Sequence, residues 1–178
     1  MENNKIIVSR YNEDISWLDN YSNIGHLIYN KGENNINEKY NFVNIDNIGN
    51  NQRDIFKFIY DEYENLPNIM IFLQGNPFEH CNKEKLDSVI NNIFFTPIES
   101  YQHIQQNQAQ KLDHDGGYME INDSWYVSSH NNTHNLNCKY NNFEEFMNSF
   151  FSNYKYEQWI RFSPGSQYLI TKEIALFY

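Results

Sequence analysis

The chain has 178 residues, with 13 Lys plus Arg against 23 Asp plus Glu and a formal charge of −10. That length suits one domain able to bury a real core, and the acidic balance argues against a non-specific grip on a nucleic-acid backbone. Aromatic residues make up 17% of the chain, which excludes wholesale disorder, and its two cysteines, Cys81 and Cys138, are too few for a disulfide framework.

Met1 to Lys5 lacks the apolar run of a signal peptide, and no stretch approaches the roughly 20 apolar residues that span a bilayer. A cytoplasmic protein in a reducing compartment is the expectation. The sequons at Asn122 and Asn131 matter only in a secretory lumen.

Lys5 to Ser9 reads as a buried first strand, and the polar run Arg10-Tyr11-Asn12-Glu13-Asp14 ends it abruptly. Ile15, Trp17 and Leu18 then pack a short helix or turn. His26 to Tyr29 and Phe42 to Ile45 are further short strands, with a polar loop over 33–40 between them. Asn51 to Asn65 predicts a helix: Ile55, Phe56, Ile59, Tyr60 and Tyr63 recur at helical spacing as one apolar stripe, and Pro67 stops it. Ile69 to Leu73 is a continuous apolar run, which suggests a strand covered on both faces. Gln74 to His80 holds Gly75 and Pro77 and reads as a turn. Lys83 to Phe94 predicts a helix with Leu86, Val89, Ile90 and Ile93 on one side. Tyr101 to Leu112 is weakly patterned, Trp125 to Ser128 is a candidate strand, and 130–142 reads as loop. Phe143 to Phe151 predicts a helix with an aromatic stripe. Pro164-Gly165 is a turn, Gln167 to Thr171 a late strand, and Lys172 starts a last helix. Strands alternating with helices are the grammar of an α/β fold. There is no internal repeat and no linker, so the expectation is a single domain over 1–178.

Open α/β sheets bind ligands at the carboxyl ends of their strands. Two polar clusters stand there: Arg10 to Asp14 after the first strand, and Gln74 to His80 after the buried one. Arg10 suits a phosphate or a carboxylate, and Glu13 and Asp14 suit a base or ribose; an ordinary solvated loop is the competing reading. Asp113-His114-Asp115 pairs two carboxylates beside a turn, a pattern of hard oxygens that suits Mg or Mn, and either acid could be a general base. His130, His134 and Cys138 are four apart and would share a helical face as zinc ligands, but the intervening asparagines argue against a helix. Cys81 beside His80 is read as a plain thiol rather than a nucleophile. No phosphate-binding glycine-lysine motif, dinucleotide fingerprint or nucleophile elbow is present. Aromatic residues could form carbohydrate platforms, but at these spacings most are expected in the core.

Several of these segments together resemble a known family. Ser9-Arg10-Tyr11-Asn12-Glu13-Asp14 with Trp17-Leu18 is similar to the opening signature of a family of unknown function found in fungi, bacteria and large DNA viruses. That family is related to the GT-A-like glycosyltransferase domain of a large algal-virus protein. The resemblance continues through Tyr29-Asn30-Lys31-Gly32, Asn47-Ile48-Gly49 and Tyr63-Glu64-Asn65-Leu66-Pro67. Its most specific block is Ile71-Phe72-Leu73-Gln74-Gly75-Asn76-Pro77-Phe78-Glu79-His80, and Phe162-Ser163-Pro164-Gly165-Ser166-Gln167-Tyr168 is similar to its closing motif.

The resemblance implies a single-domain GT-A-like (Rossmann-like) mixed β-sheet flanked by helices. It implies a glycosyltransferase that moves a sugar from a nucleotide sugar to a carbohydrate or glycan acceptor, with Mn or Mg against the diphosphate. Arg10, Tyr11, Asn12, Glu13, Asp14, Gln74 and Asn76 would line the donor site. Asn76, Glu79, His80 and Asp115 are the metal candidates, and Asp113, Asp115 and Glu120 the candidate bases. Relatives often carry Asp where this chain has Asn76, and an amide is the weaker ligand for a hard cation. Gly49-Asn50-Asn51-Gln52-Arg53 also lacks the Arg-Glu pair common after that glycine. Two alternatives stay open: a non-catalytic nucleotide- or carbohydrate-binding domain that keeps the fold, and a small metal-dependent hydrolase.

Overall fold

The structure is a computed structural model that describes residues 3–98, 110–112, 118–121, 143–152, 154–155, 157–161 and 164–176. The chain forms two compact units, one from Met1–His103 with Ser163–Tyr178 and the other from Ile104–Phe162.

The first unit is an α/β fold around a six-stranded mixed sheet. Its strands are β1 (Asn4–Arg10), β2 (Gly25–Asn30), β3 (Phe42–Asn44), β4 (Ile69–Gln74), β5 (Thr96–Pro97) and β9 (Tyr168–Thr171), in the order β3-β2-β1-β4-β9-β5. The first four run parallel, while β9 runs antiparallel to both β4 and β5. Successive side chains on a strand point to opposite faces, and both faces of this sheet are covered. Ile6 and Val8 of β1, with Ile28, Ile71 and Leu73, pack against Trp17, Leu18 and Tyr21 of a 3-10 turn (Ser16–Tyr21) and against Leu86 and Val89 of α2 (Lys83–Val89). Ile7, Tyr29, Met70 and Phe72 pack on the other side against Ile55 and Phe58 of α1 (Asn51–Asp61). The continuous apolar run of β4 therefore fills both layers, as its sequence predicts. Phe58 is fully buried and meets Phe72 edge to face; truncating such a ring to Ala costs about 3–5 kcal/mol.

Two helices depart from expectation. α1 ends at Asp61 and hands over to a 3-10 turn at Tyr63–Asn65. It turns Asp54, Ile55 and Phe58 to the sheet, while Phe56, Tyr60 and Tyr63 of the expected apolar stripe stand in solvent. The cause is a buried anchor. Asp54 Oδ2 accepts from Ser9 Oγ at 2.6 Å and from Lys31 Nζ at 2.7 Å, and these contacts fix how the helix is rolled about its axis. α2 stops at Val89, short of the predicted Phe94, and leaves Ile93 and Phe94 exposed.

In the second unit, β6 (Gln110–Leu112), β7 (Tyr118–Ile121) and β8 (Trp159–Arg161) form an antiparallel sheet in the order β6-β7-β8. α3 (Phe143–Phe150) follows the predicted helix. Lys111 Nζ lies 4.2 Å from the centroid of the Trp159 ring, a cation–π contact across the sheet. The candidate strand 125–128 lies outside the described residues. α4 (Lys172–Leu176) closes the chain in the first unit. Among the described residues no helix is long and apolar enough to cross a membrane.

Candidate functional site

The parallel strand order reverses its direction of growth between β1 and β4, since the chain moves outward to β2 and β3 and then returns across β1 to β4. The carboxyl ends of these two strands are therefore the switch point of the sheet, where open α/β folds leave a crevice. The loops of both predicted clusters meet there. Gly75 N–H donates to Ser9 O at 2.7 Å, and Trp17 Nε1 donates to Gly75 O at 2.8 Å. The approach is so close that a Cβ on Gly75 would lie 2.5 Å from Glu13 Oε2.

Arg10 organises the first loop. It is only 4% exposed. Its Nε donates to Glu13 O at 2.9 Å, Nη1 to Asn30 Oδ1 at 2.7 Å and to Glu33 O at 3.3 Å, and Nη2 to Asn35 Oδ1 at 2.7 Å. All of these acceptors are neutral protein oxygens. The planar guanidinium fork thus ties the loop after β1 to the loop after β2. Asn30, itself buried, relays the tie through Nδ2 to Asn44 Oδ1 of β3 at 2.8 Å. A Cβ on Gly32 would collide with Tyr11 O and Asn12 Oδ1, so only glycine lets these two loops nest.

The carboxylates of the cluster also bond locally. Glu13 Oε2 accepts the N–H groups of Tyr11 at 2.6 Å and Asn12 at 3.1 Å. Asp14 accepts from Ser16 N–H and Ser16 Oγ, both at 2.9 Å, and these hydrogen bonds hold its carboxyl below the usual range. Asn12 Oδ1 accepts from Glu33 N–H at 2.9 Å. Tyr11, Asn12 and Asp14 are exposed, Tyr11 at 52%.

In the second loop the main chain is what is held. Gln167 is fully buried; its Oε1 accepts Gln74 N–H at 3.2 Å and its Nε2 donates to Pro77 O at 3.3 Å. Asn76 Nδ2 donates to Glu79 Oε1 at 3.3 Å, and the His80 ring lies against Gly165. Cys81 is a buried free thiol that donates to Pro77 O at 3.4 Å, and burial pushes its pKa up to about 11. A thiol so buried carries little thiolate near neutral pH.

The structure thus gathers Arg10, Tyr11, Asn12, Glu13, Asp14, Gln74, Asn76, Glu79 and His80 at one rim. Asp113 and Asp115 lie outside the described residues, as do His130, His134 and Cys138. Glu120 lies on β7 in the second unit, paired in register with Gln110 and Ile160. Sequence reasoning passed over Lys31 and Asp54, which join the rim to the first turn of α1. Lys31 Nζ also reaches Gly49 O at 3.0 Å and Asn50 O at 3.3 Å. The available signal was a carboxylate at position 54, directly beside Ile55 and one turn before Phe58 on a helix that had to bury one face.

The donor chemistry tests the Mn or Mg that the resemblance implies. Among the described residues, no group of three His, Cys, Asp or Glu is assembled that could hold a metal ion. At the loop after β4, one Glu79 oxygen already takes the Asn76 amide. The described residues by themselves do not fit a hard divalent cation, which takes several oxygen ligands.

The fold and rim together define an α/β unit whose loops after β1 and β4 interlock at the switch point of its sheet. Residues 6–176 match the family described as Protein of unknown function (DUF3431), and the chain belongs to that family. No curated protein and no solved structure matches it.

Proposed function

We propose that this protein is a nucleotide-sugar-dependent glycosyltransferase with its donor seated over the carboxyl ends of β1 and β4. The observation that carries the reading is the interlocking of the loops after those strands at the switch point, the place where sheets of this order receive nucleotides. Tyr11 offers an exposed ring face to a base. Asn12, Gln74 and Asn76 add amides for ribose and phosphate oxygens. Arg10 acts on the donor through the loop it holds. In the reaction an acceptor hydroxyl oxygen bonds to the anomeric carbon while the bond from that carbon to the diphosphate oxygen breaks. The nucleoside diphosphate leaves with the electron pair, and the hydroxyl proton passes to a general base or to solvent.

The pairing of Asn76 with Glu79 favours a second reading, a nucleotide- or carbohydrate-binding domain that keeps the fold without turnover. Calorimetric titration with UDP-, GDP- and TDP-sugars, with and without Mn, separates the two when combined with an assay for released nucleoside diphosphate. Binding with slow donor hydrolysis is the expected result. Binding without release selects the second reading, and no binding to any donor removes both nucleotide readings.

A further inference from the structure

We propose that the N–H groups of Tyr11 and Asn12 form a seat for a phosphate oxygen, and that the Glu13 carboxylate fills it until the ligand arrives. Both groups donate to one oxygen, Glu13 Oε2, at 2.6 Å and 3.1 Å. Successive backbone N–H groups aimed at one point make an anion-binding concavity, and hydrogen bonds to an ionised oxygen are the strong ones. The same oxygen lies against Gly75, where a Cβ would come within 2.5 Å of it. The seat therefore stands at the switch point of the sheet, between the loops after β1 and β4. Its two hydrogen bonds are open to solvent.

The resident carboxylate shows the chemistry of the occupant, and the surroundings favour negative charge there. Arg10 is buried and its acceptors are neutral oxygens, one of them the carbonyl of Glu13 at 2.9 Å. Among the described residues it makes no ion pair. A buried cation without a paired anion is costly, and an anion in the seat offsets that cost through space. Glu13 supplies one negative charge. A free carboxylate of equal charge competes poorly with one tethered to the same loop, whose effective concentration is on the order of millimolar or higher. A diphosphate carries more charge and more oxygens, so it displaces Glu13 where a carboxylate does not. The proposal deepens the transferase reading by naming where the donor's diphosphate sits. It rests on that reading only for the nucleoside and sugar attached to the diphosphate.

Calorimetry with pyrophosphate in a phosphate-free buffer tests it, together with the amide resonances of the isotope-labelled chain. Glu13→Gln keeps an oxygen for both N–H groups but loses the charge. It is expected to bind pyrophosphate about tenfold more tightly than the wild type. Asp14→Asn removes an equal charge from the same loop, but Asp14 bonds to Ser16 and not to the seat. Its affinity is expected to stay within about twofold of the wild type at physiological salt. In the wild type, saturating pyrophosphate is expected to shift the Tyr11 and Asn12 amide signals more than those of the other rim residues. Equal tightening in both variants overturns the proposal, because bulk charge alone then explains it. So does absent, unchanged or weaker binding by Glu13→Gln, or a wild-type response centred on other amides. The wild-type readout needs no variant and decides the matter if Glu13→Gln does not fold. UDP-, GDP- and TDP-sugars on the same proteins keep the two readings apart. Pyrophosphate bound at the seat with no nucleotide sugar bound would sink the transferase reading and leave the seat standing. Nucleotide-sugar binding with no response at Tyr11 and Asn12 would do the reverse.

Discussion

The loop after β1 is held by its own polar side chains, whereas the loop after β4 is held through its main chain, by a buried glutamine from elsewhere in the sequence. Arg10, Glu13 and Asp14 all find partners within their own loop or the next one. The second loop is fixed instead through Gly75 and through Gln167, which reaches it from the far end of the chain. Arg10, Glu13 and Asp14 thus each help to hold the first loop, while Tyr11 presents its ring to solvent. Buried polar groups must be hydrogen-bonded, and a charged fork such as Arg10 satisfies that need for several loop carbonyls and amides at once.

The largest effect expected follows from removing that fork. Arg10→Ala leaves Asn30 Oδ1 and the Glu13 and Glu33 carbonyls without their donor, which should cost about 3 kcal/mol or more, read from the urea midpoint. Arg10→Lys should recover little, because an ammonium lacks the planar fork. A variant of normal stability that has lost donor affinity would reverse the contrast and make Arg10 a ligand residue.

Gly75→Ala probes the contact between the loops. Its methyl would press on Glu13, whose carboxylate would have to release the Tyr11 and Asn12 N–H groups. The expected loss is about 1–3 kcal/mol, and Glu13→Ala in the same background should recover part of it, as a double-mutant cycle would show. Additive losses would mean that the loops do not bear on each other. Tyr11→Ala should leave stability within about 0.5 kcal/mol and weaken donor binding about tenfold by calorimetry. Unchanged affinity would remove the ring from the donor site.

The division between the loops also decides what the sequence can reveal. β1 and β4 were legible because a continuous apolar run has few alternatives to a strand covered on both faces, and the rule of strand ends then located both loops. The roll of α1 was not legible. Five apolar positions at helical spacing point inward by periodicity alone, but Asp54 needs Lys31 and Ser9, and those partners lie far away along the chain. The inward role of Arg10 was hidden in the same way, since Asn30, Glu33 and Asn35 belong to another loop. The short β6, β7 and β8 carry too few residues for alternation to stand out.

The smallest effect expected is a pH dependence confined to one side of the rim. His26 Nε2 accepts the N–H of Asn41 at 3.1 Å, and Asn41 Nδ2 returns a bond to His26 O at 3.1 Å. These bonds close the segment that carries Glu33 and Asn35 to Arg10. Burial holds the His26 pKa below its ordinary 6.5; the nearby Asp19 carboxylate opposes that shift and Lys5 reinforces it. The folded state therefore favours the neutral ring. Its stabilising contribution is complete above pH 6.5 and is lost as the pH falls through the lower folded value. Amide exchange in residues 10–14 should accelerate between pH 7 and pH 5, once corrected for intrinsic rates, while exchange in residues 74–80 should not. His26→Gln, whose side-chain oxygen can accept the same N–H without titrating, should flatten the difference. Equal acceleration in both loops would show that acid loosens the whole rim, and the loop after β1 would then not depend separately on its own hydrogen bonds.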